Sequence, residues 1–264
     1  MLKIENIKKT FLKGTVNEKQ IFNGLNLEVN EGDFVTILGS NGAGKSTLFN
    51  VIGGSIPVDD GNLIINKKDF TNCPANRIAK VVGRVHQNPQ LGTSPNLTIY
   101  ENILMYLRKG KKFTLRKLKS GSREQVMKDL SKFELGLEDL LDTQVKFLSG
   151  GQRQALTLYL IKRNLPDLLL LDEHTAALDP KTAKKIMDLT CEIVHDCKIT
   201  TMMITHNLGD AIKYGNRLIM LDKGKVILDI KGEEKDNLTV ESLIQMYSSK
   251  SSEFDIPDSM ILSA

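Results

Sequence analysis

Short apolar runs bounded by turn-forming residues alternate along this chain with longer stretches in which apolar residues recur every three or four positions. The first pattern marks strands and the second amphipathic helices. Leu2, Ile4 and Ile7 lead to Phe11 as a first strand. Gly32-Asp33 precedes Phe34, Val35, Ile37 and Leu38, a buried strand delivered straight into Gly39. Lys45 to Ile52 reads as a helix, and Leu63 to Ile65 and Val81 to Val85 as further strands.

From about Gln87 to Ser149 the pattern is mostly helical. Thr98-Ile-Tyr-Glu101 is a capping box opening a helix through Leu107. Ser122 to Phe133 supplies another, with Val126, Leu130 and Phe133 on one face. After Gly150 strands and helices alternate again. Leu168 to Leu171 is a buried strand, and Pro180 starts a helix whose inner face is Ala183, Ile186, Met187, Ile193 and Val194. Ile199 to Ile204 is a strand and Asn207 to Tyr214 a short helix, while Arg217 to Leu221 pairs with Val226 to Ile230 across Lys223-Gly224. Such alternation implies an α/β fold with a mostly parallel sheet. Residues 249–264 read as a polar tail.

With 264 residues, 41% of them hydrophobic, the chain can bury a full core without metal or disulfide help. Its three cysteines show no C-x-x-C spacing and read as reduced thiols. No apolar run approaches the roughly 20 residues of a spanning helix, so any membrane role is expected to come through a partner. The net charge of +4 is local: Arg108 to Lys119 holds seven basic residues and no acidic one, and without them the balance would be negative. That stretch suits a solvated face, or contact with anionic lipid or an acidic partner. Nucleic acid is disfavoured, because aromatic stacking residues are not interleaved.

Gly39-Ser40-Asn41-Gly42-Ala43-Gly44-Lys45-Ser46 fits the G-x-x-x-x-G-K-[ST] phosphate loop, and it follows a strand and opens a helix as that motif requires. Glycines let successive N–H groups point inward at phosphates, and the helix start adds its positive end. Lys45 is then expected to reach the β- and γ-phosphates, Ser46 to ligate Mg²⁺, and Thr47 to border the site. This loop alone establishes nucleotide binding and does not choose among kinases, GTPases and ATPases.

Leu148-Ser149-Gly150-Gly151-Gln152, with Ser149 as N-cap, forms a second anion-binding helix start. On this segment and the phosphate loop the chain resembles the ATP-binding cassette (ABC) superfamily over nearly its whole length. The resemblance implies a RecA-like P-loop NTPase core (residues 1–87 and 150–248), an antiparallel β subdomain and an inserted α-helical subdomain at about 88–149. It also implies that Ser149 to Gln152 closes over the γ-phosphate held by a second copy, so that two ATP molecules are sandwiched head to tail. Asp172, ending the run Leu168 to Leu171, would hold Mg²⁺ through water, and Glu173 would polarise the attacking water. Gln87 resembles the glutamine that contacts Mg²⁺, Asp179 the residue crossing the dimer interface, His206 the histidine that binds the γ-phosphate, and Phe11 the ring against adenine.

One departure stands out. Most of the family has proline after the catalytic glutamate, where this chain has His174. The change removes a fixed φ and puts a titratable ring near the phosphates. With this departure the chain resembles a small importer branch linked to tryptophan or tyrosine uptake. The expected system then has a separate membrane permease and a solute-binding protein, with this subunit peripheral at the cytoplasmic face of the membrane. An exporter subunit and a soluble cassette acting on ribosomes or DNA remain alternatives, although the last usually carries two cassettes or a long coiled coil.

Overall fold

The computed structural model describes residues 1–107 and 121–250. In chain order these form β1 (Leu2–Phe11), β2 (Lys19–Val29), β3 (Phe34–Gly39), α1 (Lys45–Ile52), β4 (Asp60–Ile65), β5 (Lys68–Asp69), α2 (Ala75–Ile78) and β6 (Val82–Val85). There follow α3 (Ile99–Leu107), α4 (Gly121–Ser131), α5 (Gly150–Arg163), β7 (Leu168–Asp172), α6 (Pro180–Cys197) and β8 (Thr200–Ile204). The chain continues through α7 (Leu208–Lys213), β9 (Arg217–Asp222), β10 (Lys225–Lys231), α8 (Glu233–Asp236) and α9 (Val240–Lys250). The basic stretch from Arg108 to Lys119 and the tail beyond Lys250 lie outside the described residues.

Two units divide these elements. The first comprises Met1–Val82, Asp167–Glu173 and the chain from Ile199 onward; the second comprises Gly83–Pro166 and His174–Lys198. The second is therefore larger than the inserted segment expected from sequence, because α5 and α6 belong to it.

In the first unit an antiparallel sheet runs β2-β1-β4-β5. A second sheet has the order β10-β9-β3-β8-β7-β6, with β6 leaving the unit after Val82. The pairs β3–β8, β3–β9 and β7–β8 are parallel and β9–β10 antiparallel. Every residue of Leu168–Leu171 is buried, as a strand covered on both faces must be. Side chains of β9 show the period of two: Ile219 and Leu221 join α1 and the antiparallel sheet in one core, whereas Leu218 and Met220 join Leu38, α7 and α9 in another. Arg217 ties three strands together. Its guanidinium holds Asp229 through two bonds of 2.7 Å and donates to the Glu28 carbonyl.

In the second unit the capping box at Thr98 is formed, with Glu101 accepting from Thr98 N–H and Thr98 accepting from Glu101 N–H. Val126, Leu130 and Phe133 are all buried. Phe133 lies past the end of α4 and meets the Tyr159 ring edge-on, with centroids 6.0 Å apart.

Candidate functional site

Strand β3 is buried along nearly its whole length and ends at Gly39, so it is a rigid post for the loop that follows. Helix α1 begins at Lys45 behind Gly44, which has φ 103° and offers no side-chain cap. A Cβ at Gly44 would stand 2.9 Å from the Phe22 ring, in a backbone region that L residues avoid, so glycine is required there twice over. The loop is braced from outside by Gly224 N–H, which donates to the Ala43 carbonyl at 3.0 Å. The first turn of α1 carries neither a capping side chain nor an acidic residue, which leaves its positive end available to an anion.

Lys45 folds inward, its ammonium donating to the Gly39 and Ser40 carbonyls at 2.5 and 3.0 Å. Burial lowers its pKa, and the nearby Glu173 and Asp172 carboxylates oppose that shift. Ser46 is exposed and Thr47 half-buried at the same helix start.

Beside this loop two neighbouring parallel strands deliver the acid and base groups. Asp172 ends β7 in register with Ile204 of β8, and Ile204 in turn pairs with Ile37 of β3. The C-terminal ends of β3, β8 and β7 therefore bring Gly39, His206 and Asp172-Glu173 to one edge of the sheet, where open α/β sheets carry their ligands. Glu173 has φ 44°, a left-handed conformation rare for a residue with a side chain. Its N–H donates to the Ile204 carbonyl, and its carboxylate lies 3.5 Å from His206 Nδ1. Asp210 in α7 was not foreseen; burial raises its pKa against the pull of Lys213 and His206.

Phe11 is half-buried at the end of β1, with the Lys9 ammonium 5.5 Å from its ring centre. It belongs to the antiparallel sheet, not to the sheet that carries the phosphate loop.

The remaining residues expected from the sequence stand on the second unit. Gln87 is exposed just beyond β6. Ser149 caps α5 with a complete capping box: its hydroxyl accepts from Gln152 N–H, and Gln152 Oε1 accepts from Ser149 N–H. Gln152 also donates to the Leu135 carbonyl. Gly151 is there for packing, since a Cβ would come within 2.3 Å of the Thr182 methyl. Asp179 caps α6 by accepting from Thr182 N–H, and hydrogen bonding from the Thr182 side chain, together with that N–H, holds its carboxyl below the usual range.

His174 corrects an expectation. Its ring is 1% exposed, and burial lowers its pKa to about 4, so it stays neutral and does not supply a titrating group at neutral pH. The Thr190 hydroxyl spends its proton on the Ile186 carbonyl, so His174 Nε2–H donates to Thr190 Oγ1 at 3.1 Å. Gln154 is a second residue the sequence did not single out. Its buried amide donates to the carbonyls of His86 and His174, the neighbours of Gln87 and Glu173 in the chain, at 2.9 and 2.8 Å. Nothing local announces it, because the partners are 68 and 20 residues away.

A glycine loop at a strand end, an open helix start, a half-buried lysine and a strand-end carboxylate facing a histidine define a nucleotide-hydrolysing P-loop domain of the ATP-binding cassette kind. Residues 22–176 match the family described as ABC transporter. The chain is 45% identical over 250 residues to the tyrosine transport ATP-binding protein of Clostridioides difficile, covering 94% of this chain and 98% of that one. It is 31% identical over 253 residues to the phosphonates import ATP-binding protein PhnC of Lactococcus lactis, covering 94% and 98%. It is 33% identical to the spermidine/putrescine import ATP-binding protein PotA of Haemophilus influenzae, of whose length it spans 57%. Among solved structures, the cassette MJ0796, dimeric and bound to ADP and Pi, superposes with a TM-score of 0.74 at 30% identity, covering 88% of this chain and 98% of that one. The chain belongs to the ABC transporter ATP-binding family: it binds and hydrolyses ATP as a transporter's ATP-binding subunit. Among the described residues, no helix is long and apolar enough to cross a membrane.

Proposed function

We propose that this chain drives the import of an aromatic amino acid, tyrosine foremost, through a separate membrane permease. The observation that carries the reading is the 45% identity to a tyrosine transport protein along nearly the whole of both chains, against 31% and 33% for the phosphonate and polyamine relatives. Two copies work head to tail at the cytoplasmic face, and a solute-binding protein delivers the cargo to the permease.

Backbone N–H groups from Gly39 to Ser46 receive the ATP phosphates at the open start of α1. The Lys45 ammonium, poorly solvated where it lies, gains from phosphate oxygens what burial withholds. Among the described residues no three His, Cys, Asp or Glu side chains converge as a metal site. The Ser46 hydroxyl, Asp172 through water and Gln87 would supply part of the shell of a Mg²⁺ ion, which ordinarily keeps waters and phosphate oxygens as its other ligands. When bound, that ion supplies neutralising charge on the phosphates.

Glu173 polarises the attacking water, and His206, 3.5 Å away, steadies that carboxylate and meets the γ-phosphate. Phe11 stacks on adenine. Ser149, Gly150, Gly151 and Gln152 of one copy close on the nucleotide of the other, with Asp179 crossing the interface. Closure turns the permease, and hydrolysis reopens the pair.

Glu173→Gln tests this directly. It should cut ATP turnover by about 10²–10⁴-fold, keep ATP affinity, and accumulate as an ATP-bound dimer in size-exclusion chromatography. A strain carrying only this variant should fail to take up labelled tyrosine. A variant that stays monomeric with ATP would sink the closure mechanism, and undiminished uptake would sink the import reading.

A further inference from the structure

The second unit holds a cavity of about 290 Å³ that none of the nucleotide residues lines. It lies where α4, α5 and α6 reach their C-terminal turns, beside Asp129, Tyr159 and Ile193 respectively. Its volume is at the lower edge of the roughly 300–1,000 Å³ of small-molecule sites, which suits a metabolite of amino-acid size and excludes a nucleotide.

The lining has three parts. Phe133, Tyr159, Leu189 and Ile193 form an apolar wall, with the two aromatic rings edge to face. Asp129 and Glu192 supply negative charge, reinforced by the carbonyl ends of the three helices. Lys132, Lys162 and Arg163 supply positive charge. Arg163 and Asp129 are loosely paired at 3.6 Å, while no ion pair engages Lys132, Lys162 or Glu192 among the described residues.

Tyr159 provides an independent sign. The residue is 1% exposed, it lines the cavity, and among the described residues its hydroxyl has no hydrogen-bond partner. A buried hydroxyl without a partner is costly, and native proteins ordinarily supply one. Burial also pushes its pKa up to about 12, so it remains a neutral donor.

We propose that this cavity binds a free aromatic amino acid. The ammonium group meets Glu192 and Asp129, the carboxylate meets Lys162 and Lys132, the ring lies on the Phe133 side, and the Tyr159 hydroxyl gains its partner from the ligand. The requirement for a zwitterion comes from the cavity alone; the choice of an aromatic one rests on the import reading above. An occupant would tie together the far ends of the two helices that Ser149 and Asp179 cap.

The test titrates the full-length protein with L-tyrosine and L-phenylalanine by calorimetry, beside tyramine, which lacks the carboxylate, and 3-(4-hydroxyphenyl)propionate, which lacks the ammonium. Mass spectrometry of iodoacetamide labelling at Cys197, on the cavity wall, gives a second readout. Both amino acids should bind and protect Cys197, and each analogue should bind at least about tenfold more weakly. Glu192→Gln should weaken binding by roughly tenfold. Tyr159→Phe should weaken it by about threefold or more while leaving thermal stability unchanged, since it deletes an unpartnered hydroxyl and keeps the ring. Absence of saturable binding, equal binding of the analogues, or indifference to both substitutions overturns the proposal. Intact tyrosine uptake without cavity binding would sink only the cavity, and cavity binding without uptake only the import reading.

Discussion

Two helix starts in this protein look alike in sequence and behave differently. Helix α1 opens behind a glycine-rich segment and α5 opens on two glycines, and neither carries an acidic residue in its first turn. At α1 the N-cap is Gly44, and no side chain answers the first N–H groups. At α5 Ser149 and Gln152 satisfy one another's backbone donors. The same contrast runs through the two histidines. His206 stands partly open beside Glu173, whereas His174 is sealed against Thr190. At these two pairs of positions the groups of the first unit are left available, and those of the second are spent within it. A helix N-terminus attracts an anion only with donors it has not already used.

The largest expected effect tests the open side. Lys45→Ala should weaken ATP binding by at least about 100-fold, near 3 kcal/mol, in a fluorescent-nucleotide titration, because the half-buried ammonium is the one full positive charge in the loop. Unchanged affinity would mean that the phosphates lie elsewhere.

His174 tests the closed side. Its pKa falls from about 6.5 in the unfolded chain to about 4 in the folded one, so the unfolded state binds the extra proton between those values. Its stabilising contribution is complete above pH 6.5 and is lost as pH falls toward 4. By pH 5 the loss should be about 2 kcal/mol relative to pH 7, and His174→Gln should remove that part of the slope in denaturant unfolding. An unaltered slope would show that the ring is not buried neutral.

The smallest effect is the most discriminating. Ser149→Ala should cost about 1 kcal/mol of stability by removing half of the capping box. Unchanged stability combined with lost ATP-dependent dimerisation would mean that the hydroxyl serves an anion and not its own helix, which would erase the contrast.

Much of this was legible along the chain. The phosphate loop and both capping boxes are contiguous, so spacing alone reveals them. Strand β2 was not read, because Asn23, Gly24 and Asn26 interrupt its alternation and the pairing shifts register there. Helices α8 and α9 are not legible in the sequence either. The role of α9 in the core, through Leu243 and Tyr247, depends on packing with Leu218 and with Leu38, the latter some 200 residues earlier in the chain, which no local period reports.

The phosphate loop, the α/β alternation, the two helix caps and membership of the ABC family follow from residue order, since each rests on neighbours a few positions apart. The neutral state of His174, the bridge made by Gln154, the left-handed backbone of Glu173 and the unpartnered Tyr159 hydroxyl do not. Burial and hydrogen bonding decide them, and those depend on which distant segments the folded chain brings together. His174 shows the division most clearly. Its position in the chain suggested a titrating group, and its surroundings made it a neutral structural donor.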